Sequence, residues 1–156
     1  MIINERIGEI LRSRNLTMGT AESCTGGYIA HLITLVPGCS DYFKGGIVSY
    51  SNDVKHRLLG VHEENLIQYG AVSQPVVEEM AKGTITAMNC NCAVATSGVA
   101  GPGGGTKDKP VGTVWIAAAV NDRVVSRCCH FGNDRSENIC LASETALQML
   151  IDLLAE

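Results

Sequence analysis

The octapeptide TAESCTGG at Thr20–Gly27 is the stretch from which the fold can be interpreted. It follows a short β-like run, Leu16–Ala21, and precedes an apolar segment with helical spacing that starts at Tyr28. A serine hydroxyl and a cysteine thiol therefore lie at a junction between a strand and a helix. The first N–H groups of a helix have no partner within it and carry the positive end of its dipole, so negative charge is favoured at this junction.

Ser23 is the candidate nucleophile at this junction. The N–H groups around Thr25, Gly26 and Gly27 are expected to hold an oxyanion, and the two glycines let a ligand approach the backbone closely. Two alternatives stay open from the residues alone. Ser23 is an ordinary helix N-cap, or Cys24 is the nucleophile because a thiol at a helix N-terminus has a lowered pKa. The competing interpretation of Cys24 is a thiol buried against the sheet.

Apolar periodicity and turn residues predict alternating helices and strands along the chain. The predicted helices span 4–15, 25–36, about 52–59, 63–68 and a segment from 73, and a last helix is capped by Asp134 or Ser136. The predicted strands span 17–21, 45–50, 93–97, 111–120 and 123–131, and the strand at 45–50 is apolar on both faces. This order indicates a three-layer α/β/α sandwich with a mixed, mostly parallel sheet and a C-terminal β-hairpin plus helix.

Composition places the chain among ordinary globular proteins. Its 156 residues fit one domain, 1–156, and 46% of them are hydrophobic while 18% are charged. A net charge of −4 gives no electrostatic reason to expect nucleic acid. We find no secretory signal and no apolar run of about 18 residues, the length that a membrane span needs, so we expect a soluble, cytoplasmic protein without a membrane partner. Seven cysteines lack zinc-site spacing and are interpreted as reduced and mostly buried, and no metal is expected.

Two further residues carry candidate chemistry at the same edge of the predicted sheet. Tyr50 ends a strand and Lys55 lies early in the helix that follows, so parallel strands would bring both near Ser23. A lysine that loses its solvent beside a serine has a lowered pKa and can act as a base. Alternatively, Lys55 is a solvated surface charge and Tyr50 is a core residue. The four histidines flank no motif and are interpreted as structural or exposed.

The segment Gly98–Thr106 has five glycines in nine positions. Such a loop can turn N–H groups toward an anion, although a structurally neutral loop has the same composition. Its candidate anion-binding residues are Gly101, Gly103, Gly104 and Thr106. Arg135 is a further phosphate candidate because a guanidinium group matches phosphate oxygens; the alternative is a surface or subunit-contact arginine.

Five motifs together resemble the C-terminal domain of the CinA (competence/damage-inducible) family, in the same order and over nearly the whole chain. They are TAESCTGG at 20–27, VSYSNDVK at 48–55, GAVS at 70–73, SGVAGPGG at 97–104 and KPVGTV at 109–114. The larger N-terminal domain of full-length CinA proteins is not among these residues.

The resemblance implies an activity, because stand-alone members of the family are nicotinamide-nucleotide amidohydrolases. It implies that nicotinamide mononucleotide is deamidated to nicotinic acid mononucleotide and ammonia without a metal or other cofactor. It further implies that Ser23 is the nucleophile, that Tyr50 and Lys55 activate it, and that the chain forms a homo-oligomer. Two other hypotheses stay open: a non-catalytic pyridine-nucleotide-binding regulatory module, and a Ser/Lys amidase that acts on another small amide.

Overall fold

A computed structural model describes residues 2–156 of the chain. Within this range the helices are α1 (Ile3–Ser13), α2 (Tyr28–Thr34), α3 (Asn52–Leu59), α4 (Glu63–Tyr69), α5 (Gln74–Met88) and α6 (Arg135–Leu154). The strands are β1 (Met18–Glu22), β2 (Phe43–Val48), β3 (Cys92–Gly98), β4 (Thr113–Val120) and β5 (Arg123–His130), and a short 3-10 helix spans Cys39–Asp41. No helix in the described range is long and apolar enough to cross a membrane.

The five strands form one mixed sheet in the order β2-β1-β3-β4-β5. β1 runs parallel to both β2 and β3, while β4 runs antiparallel to β3 and to β5. Four strands consequently point in one direction, and β4 and β5 form the predicted hairpin. The fold class expected from the sequence is confirmed.

Helices cover both faces of the sheet and create two separate apolar cores. α1, α2 and α6 pack on one face, where Ile29, Ile116 and Leu147 are fully buried. α3, α4 and α5 lie on the other face over a core that includes Val77 and Met80.

A close contact between α3 and α5 depends on a glycine. A Cβ atom at Gly83 would overlap the carbonyl oxygen of Leu59, the last residue of α3. Gly83 therefore allows α3 to approach α5 more closely than any other residue would.

Two details of the predicted elements are wrong. The second helix begins at Tyr28 and not at Thr25, because Gly26 and Gly27 adopt positive φ angles of 61° and 100° and form a turn before it. β2 is not covered on both faces. It is an edge strand whose residues alternate between half-buried and exposed, and Val48 is 50% exposed.

The parallel arrangement brings three strand ends to one edge of the sheet. Ser23 directly follows β1, Ser49 directly follows β2, and Ser97 lies at the end of β3. The chain leaves β1 toward β2 on one side, whereas β3 continues to β4 on the other. Ligands in open α/β sheets bind at the carboxyl ends of strands, where the connections diverge in this way.

Candidate active site

Ser23 and Lys55 meet at the carboxyl edge of the sheet. The Lys55 Nζ atom lies 3.0 Å from the Ser23 Oγ atom, and the two residues are only 1% and 8% exposed, respectively. Lys55 lies in the first turn of α3, where the Ser51 hydroxyl accepts a hydrogen bond from the Val54 N–H and caps the helix. The loop after β1 and the start of α3 thus supply the two groups from different parts of the chain.

Burial makes the Lys55 amine easier to deprotonate than an exposed lysine. The amine donates to the carbonyl oxygens of Ser49 (2.8 Å) and Tyr50 (3.3 Å), in addition to its contact with Ser23. Burial lowers the pKa of Lys55 to about 8 from its usual 10.5, because the charged form loses its hydration. A neutral amine has two N–H donors and one lone pair. The two carbonyls take the donors, which leaves the lone pair for the Ser23 hydroxyl proton.

Ser49 links this pair to the sheet, although no sequence signal singled it out. Its N–H and its hydroxyl both donate to the Glu22 carbonyl oxygen, at 2.7 and 3.2 Å, and its own carbonyl accepts from Lys55. Ser49 is fully buried. Its role depends on contacts with β1 that periodicity within one strand does not reveal.

A cavity of about 210 Å³ opens above the serine and the lysine. Ala71 and Val72 form an apolar part of its wall, and Asn52 and Arg135 contribute polar groups. Larger surface hollows of about 450 and 470 Å³ lie against α5 and α1, but neither combines a buried nucleophile with a buried amine.

Ser97 is a pocket residue that the sequence analysis did not propose. It is 1% exposed and lines the cavity from the end of β3. The position of this serine just before the glycine-rich loop was the available signal.

Tyr50 and Arg135 contact each other at the mouth of the cavity. The Arg135 Nη2 atom donates to the Tyr50 hydroxyl at 3.3 Å, and Nη1 donates to the Gly101 carbonyl at 2.6 Å. Tyr50 is 61% exposed, and its contact with Lys55 is made by its carbonyl oxygen and not by its phenol. The structure therefore brings Tyr50 to the pocket but places its hydroxyl on the arginine.

The glycine-rich loop reaches the cavity only through its first part. Gly98 and Ala100 line the cavity, and Arg135 holds Gly101, as described above. Gly103, Gly104 and Thr106 are exposed, and none of the three lines the cavity. The Thr106 N–H donates to the Lys109 carbonyl and the Thr106 hydroxyl accepts from the Lys109 N–H, so this residue closes its own turn.

The start of α2 is not open to a ligand as the sequence analysis expected. The carboxylate of Glu22 accepts hydrogen bonds from the N–H groups of Ile29 (2.9 Å) and Ala30 (3.0 Å). The chain therefore satisfies this helix terminus with its own charge, and the expectation of a free helix N-terminus is wrong.

The loop before α2 still offers unpaired donors. The Gly26 N–H donates to the Ser23 carbonyl oxygen, which removes Gly26 from the set of free donors. Among the described residues, no backbone carbonyl accepts from the N–H of Cys24, Thr25 or Gly27, and of these three residues only Cys24 lines the cavity.

Cys24 lies beside Ser23, but its thiol pKa is raised and not lowered. Burial raises the pKa of its thiol to about 11, although a hydrogen bond with Thr96 and the nearby Lys55 favour the thiolate. The thiol is therefore protonated at neutral pH. The hypothesis of a lowered pKa is wrong because the thiol is buried and the Glu22 charge lies near it, and the alternative of a buried Cys24 is confirmed.

The other cysteines are free as well. Within residues 2–156 all seven are unpaired, and three of them, Cys24, Cys90 and Cys92, are buried, so the expectation that most are buried is wrong. The described range contains no group of His, Cys, Asp or Glu side chains that could hold a metal ion.

Known proteins have sequences similar to this chain over most of its length. The model of the CinA C-terminal domain family matches residues 2–154. The nicotinamide-nucleotide amidohydrolase PncC of Escherichia coli is 47% identical over 152 residues, which cover 96% of this chain and 92% of that protein. A CinA-like protein of Amoebophilus asiaticus is 47% identical over 148 residues, and the chain spans only 36% of its length.

A solved structure supports the same relationship. The competence/damage inducible protein CihA from Agrobacterium tumefaciens superimposes with a TM-score of 0.95 at 40% identity, over 99% of this chain and 94% of that one. With the family model matched from residue 2 to residue 154, this chain belongs to the CinA C-terminal domain family.

Proposed function

We propose that this chain is a nicotinamide-nucleotide amidohydrolase, which converts nicotinamide mononucleotide and water to nicotinic acid mononucleotide and ammonia. The name of the E. coli relative, identical at 47% of aligned positions, supports this substrate. The observation that carries the proposal is the 3.0 Å contact between Ser23 Oγ and Lys55 Nζ, because an amide hydrolase needs a nucleophile beside a base. We propose that residues 1–156 form one catalytic domain.

In the first step the Ser23 oxygen attacks the carboxamide carbon, and its proton passes to the Lys55 nitrogen. The positive charge of the pyridinium ring withdraws electrons from the carboxamide and eases this attack. The carbonyl oxygen becomes an oxyanion, for which we propose the backbone N–H of Cys24, the one residue of the segment 24–27 that lines the cavity, as donor. The predicted donors Thr25 and Gly27 do not line the cavity, and the N–H of Gly26 is bonded to the Ser23 carbonyl oxygen.

In the next steps Lys55 donates a proton to the leaving nitrogen and later accepts one from water. The protonated Lys55 gives its proton to the leaving nitrogen, the C–N bond breaks, and ammonia departs from an acyl-enzyme. Water then attacks the ester carbon while the neutral amine takes a proton, and the Ser23 oxygen leaves and recovers its hydrogen. A pKa of about 8 allows Lys55 to serve as base and acid in one cycle near neutral pH.

The pocket also offers groups suited to the rest of the nucleotide. Ala71 and Val72 provide apolar surface for the pyridine ring. Arg135 is the proposed phosphate ligand, since it is the arginine of the cavity wall and a guanidinium group bonds phosphate oxygens in a bidentate manner. The glycine-rich loop at Gly101, Gly103, Gly104 and Thr106 remains a predicted second contact for the phosphate, and homo-oligomerisation remains a prediction from the family resemblance.

The test is ammonia release by the purified chain with nicotinamide mononucleotide, nicotinamide riboside and nicotinamide as substrates. We expect the mononucleotide to be deamidated with the highest kcat/KM. Saturable binding of the mononucleotide without ammonia release would instead identify a regulatory binding module. Equal turnover of nicotinamide would identify an amidase without a phosphate site.

A further inference from the structure

Glu22 carries a buried carboxylate that the proposed reaction does not use. It is the last residue of β1 and is 1% exposed. One oxygen, Oε1, accepts from the Thr25 hydroxyl at 2.7 Å and from the Ile29 N–H at 2.9 Å. The other, Oε2, accepts from the Ala30 N–H at 3.0 Å. Both oxygens therefore act as acceptors, and within residues 2–156 no cation forms an ion pair with them.

These bonds cap α2 from outside the helix. The N-cap residue, Gly27, has no side chain and makes no capping hydrogen bond. A carboxylate at the positive end of a helix compensates the dipole and satisfies N–H groups that otherwise have no partner. Glu22 performs this role across the loop Ser23–Gly27, so the two ends of that loop are joined by the side chain of a single residue.

The same network extends to β3. Because the Thr25 hydroxyl donates to Glu22, its 2.8 Å contact with the Thr96 hydroxyl requires Thr96 to be the donor. The Ser23 N–H donates to the Thr96 carbonyl at 3.1 Å. The loop that carries the nucleophile is consequently fixed on one side by the backbone of β3 and on the other by Glu22.

We infer that the Glu22 side chain is a positioning residue of the proposed amidohydrolase, which fixes the loop Ser23–Gly27 so that the serine hydroxyl stays on the Lys55 amine. This inference rests on the proposed function. It assigns no contact with substrate to Glu22, whose carboxylate is fully enclosed by the chain's own donors.

The Glu22→Gln variant tests the inference with little change of shape. An amide has one oxygen and one NH₂ group, so in either orientation its NH₂ faces a backbone N–H, that of Ile29 or that of Ala30, and one bond is replaced by a repulsive contact. The loop then shifts while the core volume is kept. We expect kcat to fall roughly 10- to 100-fold, because small displacements of reacting groups lower rates by such factors, with KM within about threefold of the parent value.

Thr25→Val removes the hydroxyl that bonds both Glu22 and Thr96, and we expect it to lower kcat as well.

Asn4→Ala is the matched control. Asn4 is 5% exposed, and its Nδ2 atom donates to the Leu32 carbonyl at 2.8 Å, so the substitution loosens α2 at its opposite end. We expect this variant to lose stability in urea titrations while its kcat stays at the parental value.

Labelling with a fluorophosphonate separates misplacement from partial unfolding. The Ser23 oxygen forms a bond to phosphorus, fluoride leaves, and Lys55 takes the proton. If Glu22 positions the loop, the Gln variant reaches full labelling stoichiometry at a reduced first-order rate. Parental labelling rate with reduced stoichiometry, or parental kcat, would overturn the inference. A parent chain that does not deamidate nicotinamide mononucleotide and is not labelled would instead refute the proposed function.

Discussion

The Lys55 amine nitrogen lies 3.0 Å from the Ser23 hydroxyl oxygen, and the backbone carbonyls of Ser49 and Tyr50 occupy the other two directions around it. Burial lowers the basicity of this amine. This arrangement leads to four predictions beyond the tests given above.

The first prediction concerns the pH dependence of the reaction. Lys55 acts as a base only when neutral, and burial lowers its pKa to about 8. We therefore expect kcat/KM for nicotinamide mononucleotide to rise about tenfold per pH unit below pH 8 and to level off above it. Steady-state assays between pH 6 and 9.5 measure this, with Lys82→Met, at an exposed lysine of α5, as the control for general charge effects. A flat profile across this range would exclude Lys55 as the base.

The second prediction concerns stability. The folded-state pKa of Lys55, about 8, is lower than the unfolded value of 10.5, so the unfolded chain binds more protons between these values and the stability of the parent rises with pH in this window. Below pH 8 the cost of burying the amine is constant and largest. We expect Lys55→Met to be inactive but about 1–2 kcal/mol more stable at pH 7, after allowance for the hydrogen bonds that it loses.

Urea titrations at pH 7, 8.5 and 10 check this prediction. The advantage of the Met variant should shrink as the pH rises toward 10. An advantage that is equal at all three pH values would show that the amine is not desolvated in the folded state.

The third prediction distinguishes the two adjacent candidate nucleophiles. Ser23→Ala should reduce ammonia release by at least about 10³-fold, because the acyl-enzyme can no longer form. Cys24→Ala should keep the rate within about threefold, since burial holds the thiol pKa at about 11 and leaves no thiolate at neutral pH. Loss of activity in the cysteine variant, with the serine variant active, would reverse the assignment.

The fourth prediction concerns Arg135. Its removal in Arg135→Met should raise KM for nicotinamide mononucleotide roughly 10- to 100-fold, the value of one charge-assisted hydrogen-bonded pair, and leave KM for nicotinamide riboside unchanged. Arg127→Met, at an exposed arginine on β5, serves as the matched control. An equal rise of KM for both substrates would show that Arg135 supports the loop through Gly101 instead of binding phosphate.

The sequence predicts a residue's position well where one general rule of protein structure relates residue pattern to position in the fold. Parallel strands end at one edge of a sheet, and this rule predicts from the sequence that Ser23 and Lys55 lie near each other. The cap of the last helix followed from residue type in the same way, and of the two residues predicted for it, Asp134 and Ser136, the structure shows Asp134 accepting from the Glu137 N–H.

The rest of the site depends on contacts between distant segments, which no local pattern encodes. Glu22 is part of the motif TAESCTGG, yet its carboxylate accepts from the N–H groups at the start of α2, which were predicted to be free for a ligand. Ser49 and Ser97 belong to the site because of their neighbours in β1 and in the cavity wall. The phenol of Tyr50 contacts Arg135, the first residue of α6. The residues next to Tyr50 in the sequence do not determine where α6 lies, so no local pattern predicts this contact.

The position of Lys55 depends on the close contact between α3 and α5 at Gly83, which lies outside the pocket. Any larger residue there would press on the end of α3 through Leu59 and push outward the helix that carries the base. Inactivating mutations should therefore accumulate on the far face of the sheet as well as around the serine. The proposed reaction therefore requires a glycine at position 83, which does not line the pocket.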